Sequence, residues 1–177
     1  MHTYKMNIVG LERELPVCKI NDKLSIAAFI MFSDVELTVA SAEQLLKKVP
    51  EFDIIITPEA KGIPLAYEMA RQSGKKYIVI RKSAKLYMRE PISIEVKSIS
   101  TDKVQTLFLD KQEAESIKGK RVLIVDDVIS TGESINAVKI LVDQSGGIVA
   151  GKCSVLAEGD AAEFDDIIYL EYLPINI

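Results

Sequence analysis

Residues 121–134 read Arg-Val-Leu-Ile-Val-Asp-Asp-Val-Ile-Ser-Thr-Gly-Glu-Ser. Arg121 to Asp126 is an apolar run closed by an acid, the pattern of a strand buried on both faces of a parallel sheet. Asp127 adds a second carboxylate, and after Val128-Ile129 the small turn Ser130-Thr131-Gly132-Glu133-Ser134 opens a helix that runs to Gln144. The first amides of such a helix are unpaired, and its dipole favours an anion. Ser130, Thr131 and Ser134 add hydroxyl donors, and Gly132 lets backbone approach a ligand closely. Asp126 and Asp127 would repel a phosphate, but they can accept hydrogen bonds from two vicinal sugar hydroxyls. A phosphate site beside a diol site describes a ribose 5-phosphate. A Walker loop is excluded because no Gly-Lys-Ser/Thr is present, and a dinucleotide fingerprint because no Gly-x-Gly-x-x-Gly is present.

Upstream, Asp53-Ile54-Ile55-Ile56-Thr57 and Tyr77-Ile78-Val79-Ile80 are two further buried strands, separated by a helix over Pro64–Ser73 that Gly74 stops. Earlier still, Ser33-Asp34-Val35-Glu36 reads as a capping box with Ser33 as the cap. The helix it opens places Val35, Val39, Ala42, Leu45 and Leu46 at helical spacing and stops at Pro50. Residues 92–99 alternate Ile92, Ile94, Val96 with polar neighbours, 104–109 do so more loosely, and both read as antiparallel strands. Asp110-Lys111-Gln112-Glu113 starts another helix, and 148–157 and 167–170 supply two more strands.

Such alternation predicts an α/β fold, a mostly parallel twisted sheet flanked by helices. Ligands of these sheets bind beyond the carboxyl ends of the strands. That rule selects the loops after Thr57, Ile80 and Val125. The first is Pro58-Glu59-Ala60-Lys61-Gly62-Ile63-Pro64, and the second is Arg81-Lys82-Ser83-Ala84-Lys85-Leu86.

The chain has 177 residues, which suits one domain. With 48% hydrophobic and 27% charged residues it needs no disulfide staple to hold a core. Cys18 and Cys153 both sit in apolar contexts and read as small buried hydrophobes. The single histidine, His2, lies at the N-terminus, which excludes histidine-based catalysis and metal binding. A net charge of -4 without a basic block argues against nucleic acid as a partner. The apolar runs are too short for a membrane span, and the first residues lack a signal-peptide pattern, so a cytoplasmic protein without membrane contact is expected.

Residues 122–134 resemble the phosphoribosylpyrophosphate signature of the type I phosphoribosyltransferases, with Glu133 where many members carry a second glycine. The resemblance covers about residues 50–157. The segment Glu59-Ala60-Lys61-Gly62 is similar to the pyrophosphate loop of adenine-type members, and Arg81-Lys82-x-x-Lys85-Leu86 to the start of their flexible catalytic loop. The adenine-type Leu-Glu-Tyr-Gly is missing, and Ser93-Ile94-Glu95-Val96-Lys97-Ser98 looks closer to the core of the Gram-positive purine-operon repressor.

The resemblance implies the type I phosphoribosyltransferase fold in one domain over 1–177: a small N-terminal hood at about 1–33, a core at about 34–177, and a mobile β-hairpin flap at about 82–110. It implies 5'-phosphate binding by Ser130, Thr131, Gly132, Glu133 and Ser134, and pyrophosphate binding by Glu59, Ala60, Lys61, Gly62, Arg81, Lys82 and Lys85. Asp126, Asp127 and Lys85 would be catalytic, and Val128 and Ile129 would pack beneath the base. Mg²⁺ would arrive bound to phosphoribosylpyrophosphate, with no direct protein ligand. The expected activity is transfer of the phosphoribosyl group to a purine in purine salvage, by a homodimer. Adenine leads the acceptors, and xanthine, hypoxanthine, guanine and orotate stay open. The alternative is a non-catalytic phosphoribosylpyrophosphate-binding regulator.

Overall fold

A computed structural model describes residues 2–22, 24–97 and 104–175. The chain opens with an antiparallel meander of β1 (Thr3–Ile8), β2 (Leu11–Asn21) and β3 (Leu24–Ala27), followed by α1 (Val35–Lys48). β4 (Ile54–Pro58), α2 (Ile63–Ser73) and β5 (Lys76–Ile80) come next, then the hairpin of β6 (Pro91–Lys97) and β7 (Val104–Asp110). The chain closes with α3 (Lys111–Ile117), β8 (Arg121–Ile129), α4 (Glu133–Gln144), β9 (Ile148–Glu158), a short 3-10 turn and β10 (Ile167–Leu173). Five strands pair in parallel in the order β10-β9-β8-β4-β5.

The unbroken apolar runs of β4 and β8 follow from burial on both faces. Ile55, Leu123 and Val125 join one cluster with α1, α2 and the N-terminal meander. Ile54, Ile56, Val122 and Ile124 join the other with α3, α4 and the hairpin. Leu15, Ala27, Phe29 and Met31 belong to the first cluster, so the N-terminal segment is packed into the core, while Ile30 and Phe32 stay exposed. The hairpin is likewise anchored: Ile94, Leu107 and Leu109 are buried in the second cluster. The alternation expected at 98 and 99 falls outside the described residues.

The α1 cap differs from the sequence reading. Asp34, not Ser33, is the cap and accepts from the Leu37 amide at 3.1 Å, while Ser33 adopts φ 70°. Glu36 does not return to the cap, because Arg13 of β2 takes both acids, at 2.6 Å from Asp34 and 2.8 Å from Glu36. The buried face is Leu37, Thr38, Ser41, Ala42 and Leu45. Val35 (73% exposed) and Val39 therefore point outward, since the helix packs through the row that meets α2 and the sheet. Cys18 is exposed, because it lies on the outer part of the meander, whereas Cys153 is buried in β9 and its thiol is pushed up by burial. α3 starts at the expected place, where Asp110 and Glu113 form a capping box, and Gly74 stops α2 as expected, in the left-handed conformation. Among the described residues no helix is long and apolar enough to cross a membrane.

Candidate active site

β8 continues three residues beyond the expected end at Asp126, to Ile129. Asp126 pairs with Ser154, Val128 with Leu156 and Ile129 with Ala157, so β9 holds the acids in a rigid ladder. The ladder ends at Ser130, and Gly132 caps α4 with φ 77°, a left-handed turn that glycine adopts without a Cβ penalty. A Cβ at Gly132 would also stand 3.3 Å from the Phe164 ring. Residues 128–135 with Asp126 line a cavity of about 90 Å³ at the helix N-terminus. The hydroxyls and amides expected from Ser130, Thr131, Gly132, Glu133 and Ser134 all lie on this one turn. Ile129 is nearly fully buried in the α4 cluster and supports the turn from beneath, which leaves Val128, half-buried, as the apolar side chain nearer the opening.

The two acids have different surroundings. Asp126 accepts the Asp127 amide at 2.9 Å, and burial together with the neighbouring Asp127 charge pushes its carboxyl up to about 8. Asp127 is only 2% exposed. Lys61 Nζ stands 3.4 Å from Asp127 Oδ2, close enough to pair charges but without hydrogen-bond geometry, and that buried oxygen has no hydrogen-bond partner among the described residues. An unmatched buried acceptor costs about 1–3 kcal/mol, and it is the kind of atom a ligand hydroxyl satisfies.

The loop after β4 is pressed onto these acids. A Cβ on Gly62 would meet Thr57 Oγ1 at 2.6 Å, Asp126 Oδ1 at 2.9 Å and Asp126 Cα at 3.1 Å, so only glycine fits. The Glu59–Ala60 peptide is cis. The Glu59 amide donates to the Ile80 carbonyl at 2.9 Å, which brings the loop to the end of β5. There Glu59 accepts from the Lys82 amide at 2.6 Å and from Arg81 Nη1 at 3.3 Å, with Lys85 Nζ at 3.9 Å. Burial raises the Glu59 carboxyl, but the Lys82 amide and the two cations outweigh it and hold the group below its ordinary range. Lys85 also donates to Ser83 Oγ at 2.8 Å. Arg81 joins the hairpin through Arg81 N to Phe108 O at 3.0 Å and Phe108 N to Arg81 O at 2.7 Å.

The expected residues thus fall into two groups joined through the stretch 59–61. Lys61, Asp126 and Asp127 gather beside the turn of residues 130–134. Glu59, Arg81, Lys82 and Lys85 gather at the end of β5.

Glu158 was not anticipated. It ends β9 beside the turn of residues 130–134, and burial pushes its carboxyl up while the Ser130 hydroxyl and the charge of Lys61 pull it down. The signal was available, because the rule that selects carboxyl ends of parallel strands applies to the run ending at Ala157 as well. The turn therefore offers amides and hydroxyls to an anion, the acids offer acceptors to hydroxyls, and the cations offer charge to a second anion.

Residues 38–176 match the family described as phosphoribosyl transferase domain. The purine biosynthesis transcriptional repressor PurR of Bacillus subtilis is 34% identical over 125 residues, covering 71% of this chain and 42% of the repressor. The adenine phosphoribosyltransferase of Petrotoga mobilis is 35% identical over 114 residues, covering 63% of this chain and 62% of that enzyme. The chain thus spans less than two thirds of the length of each of these relatives. The crystal structure of adenine phosphoribosyltransferase from Thermoanaerobacter pseudethanolicus superposes with a TM-score of 0.67 at 29% identity, covering 80% of this chain and 84% of that one. With its parallel sheet, its turn of residues 130–134 and these matches, the chain belongs to the phosphoribosyl transferase family and has the type I phosphoribosyltransferase fold.

Proposed function

We propose that the chain transfers the 5-phosphoribosyl group of phosphoribosylpyrophosphate to a purine, adenine first, releasing pyrophosphate and forming the nucleoside monophosphate in purine salvage. The observation that carries this reading is the orphaned Oδ2 of Asp127, buried beside Lys61 at the foot of the phosphate turn. A ribose hydroxyl there would fill its vacant acceptor site while the 5'-phosphate takes the amides and hydroxyls of 130–134. Asp126 and Asp127 would hold the two hydroxyls and lie near the anomeric carbon as positive charge develops on it. The Ala60, Lys61 and Gly62 amides, with the side chains of Lys61, Arg81, Lys82 and Lys85, would receive the departing pyrophosphate. Val128 would pack beneath the base.

Mg²⁺ carried by phosphoribosylpyrophosphate would sit on the substrate's own oxygens and on water, with the Asp126 and Asp127 carboxyls nearby rather than as direct ligands. Bound there it would neutralise charge on the pyrophosphate. The flap at about 82–110, of which β6 and β7 form the described part, would exclude water from the cationic carbon. The N-terminal meander and the sheet share one apolar cluster, which supports reading 1–177 as one domain. We also read the protein as a cytoplasmic homodimer that binds neither nucleic acid nor membrane.

The match to PurR supports a second reading, a non-catalytic sensor of phosphoribosylpyrophosphate. Pyrophosphate release with Mg²⁺ and phosphoribosylpyrophosphate, run in parallel with adenine, hypoxanthine, guanine, xanthine, orotate and uracil, separates the two. Release that depends on adenine supports transfer. Binding of phosphoribosylpyrophosphate with no release for any base supports the sensor.

A further inference from the structure

Glu59 is an anomaly in a loop assigned to a polyanion, because a carboxylate repels pyrophosphate. Its contacts show what it holds instead. One oxygen accepts the Lys82 amide at 2.6 Å, and the other accepts Arg81 Nη1 at 3.3 Å, with Lys85 Nζ at 3.9 Å from the first. Its own amide is bonded to Ile80 O at 2.9 Å, so backbone and side chain together tie the end of β4 to the end of β5. The side chain is 18% exposed, mostly withdrawn from solvent. Around it, Lys82, Ser83 and Ala84 are exposed, so the Glu59 carboxylate is a principal tether of this cationic stretch. The same Arg81 is bonded through its backbone to Phe108, which extends the tie to the base of the hairpin.

We propose that Glu59 is a positioning residue: it fixes the cationic loop 81–85 against loop 58–62, so that the two loops grip one pyrophosphate at a set spacing. The inference rests on reading these loops as the pyrophosphate site. Glu59 acts through Arg81, Lys82 and Lys85 and makes no contact with the ligand. Its negative charge would by itself weaken anion binding, so its loss has opposite signs under the two roles: order lost if it positions, repulsion relieved if it does not.

The test is calorimetry of Mg²⁺-pyrophosphate and, separately, of ribose 5-phosphate with wild type, Glu59→Gln and Glu59→Ala. Gln keeps an acceptor for the Lys82 amide but loses the charge that holds Arg81 and Lys85; Ala loses both. Positioning predicts pyrophosphate affinity weakened about threefold in Gln and at least about tenfold in Ala, roughly the loss of one charge-assisted hydrogen bond. Ribose 5-phosphate, bound by the separate turn 130–134, should change by less than about twofold, a split that general destabilisation would not produce. Unchanged or tighter pyrophosphate binding in Ala overturns the inference, and so does an equal loss of both ligands. A wild type that binds ribose 5-phosphate but not Mg²⁺-pyrophosphate overturns the pyrophosphate reading itself and the inference with it.

Discussion

Lys61 and Asp127 face each other across the gap between the loop after β4 and the carboxyl end of β8, 3.4 Å apart and not hydrogen-bonded, with the carboxylate buried and the ammonium half in solvent. The pair is poised to be completed by a ligand that brings a hydroxyl to one partner and an anionic oxygen to the other. Lys61→Ala should raise the KM for phosphoribosylpyrophosphate about tenfold, the scale of one charge-assisted hydrogen bond. Steady-state kinetics at saturating base checks it, and an unchanged KM would remove Lys61 from the site.

Gly62 is the tightest point of the site. Alanine there would place a methyl 2.6 Å from Thr57 Oγ1 and 2.9 Å from Asp126 Oδ1. Gly62→Ala should cost about 1–3 kcal/mol of stability by overpacking and lower kcat/KM by at least about tenfold. Urea unfolding together with kinetics reads both, and wild-type values in each would show that the two loops are not in contact.

The pH dependence of stability follows from Asp126. Its folded pKa is raised to about 8 by burial and the Asp127 charge, above the ordinary carboxylate value of 3.8 that it regains on unfolding. The folded state therefore holds more protons between those values, and stability falls as pH rises from about 4 to about 8. Glu158 and Glu113, also raised by burial, slope the same way. Acids held below their ordinary values, such as Asp34 and Glu68, contribute stability lost only at more acidic pH. Denaturant unfolding at pH 5 and pH 8 should show wild type weaker at pH 8, and Asp126→Asn should flatten that slope. An equal slope in the variant would assign it elsewhere.

Glu158 places a carboxylate against the Ser130 hydroxyl, beside the turn of residues 130–134 that is proposed to receive the phosphate. Glu158→Gln keeps a hydrogen-bonding group there and removes the charge, so ribose 5-phosphate should bind about threefold tighter at pH 8, from weakened Coulomb repulsion. Weaker binding would mean that the carboxylate contacts the ligand favourably.

The hairpin is welded to the core at its base. Leu109 is buried against α3 and α4. Leu109→Ala should destabilise the protein by about 2–5 kcal/mol in a single cooperative transition. A loss under about 1 kcal/mol would show that β7 is not part of the core.

Much of this was legible in the sequence because burial on both faces writes itself as unbroken runs such as Ile54-Ile55-Ile56 and Val122–Val125. The turn of residues 130–134 between β8 and α4 was legible because strand, acids, hydroxyls and Gly132 are contiguous. What escaped depends on contacts distant in the chain. Arg13 captures Asp34 and Glu36 from 21 and 23 residues away and so displaces the α1 cap from Ser33. Val35 and Val39 have helical spacing but the wrong face, which only the packing on α2 decides. The ties of Glu59 to Arg81 and Lys82 escaped as well, because these partners lie in another loop, 22 and 23 residues away.

The central claim is tested most directly by following conversion of adenine to adenosine monophosphate chromatographically, with phosphoribosylpyrophosphate and Mg²⁺, in wild type and in Asp126→Asn/Asp127→Asn, with folding of both verified by circular dichroism. Transfer to adenine requires sustained turnover in wild type and a loss of at least about a hundredfold in kcat/KM in the folded variant. Turnover in the variant close to that of wild type, or no product from a wild type that binds phosphoribosylpyrophosphate, would contradict it.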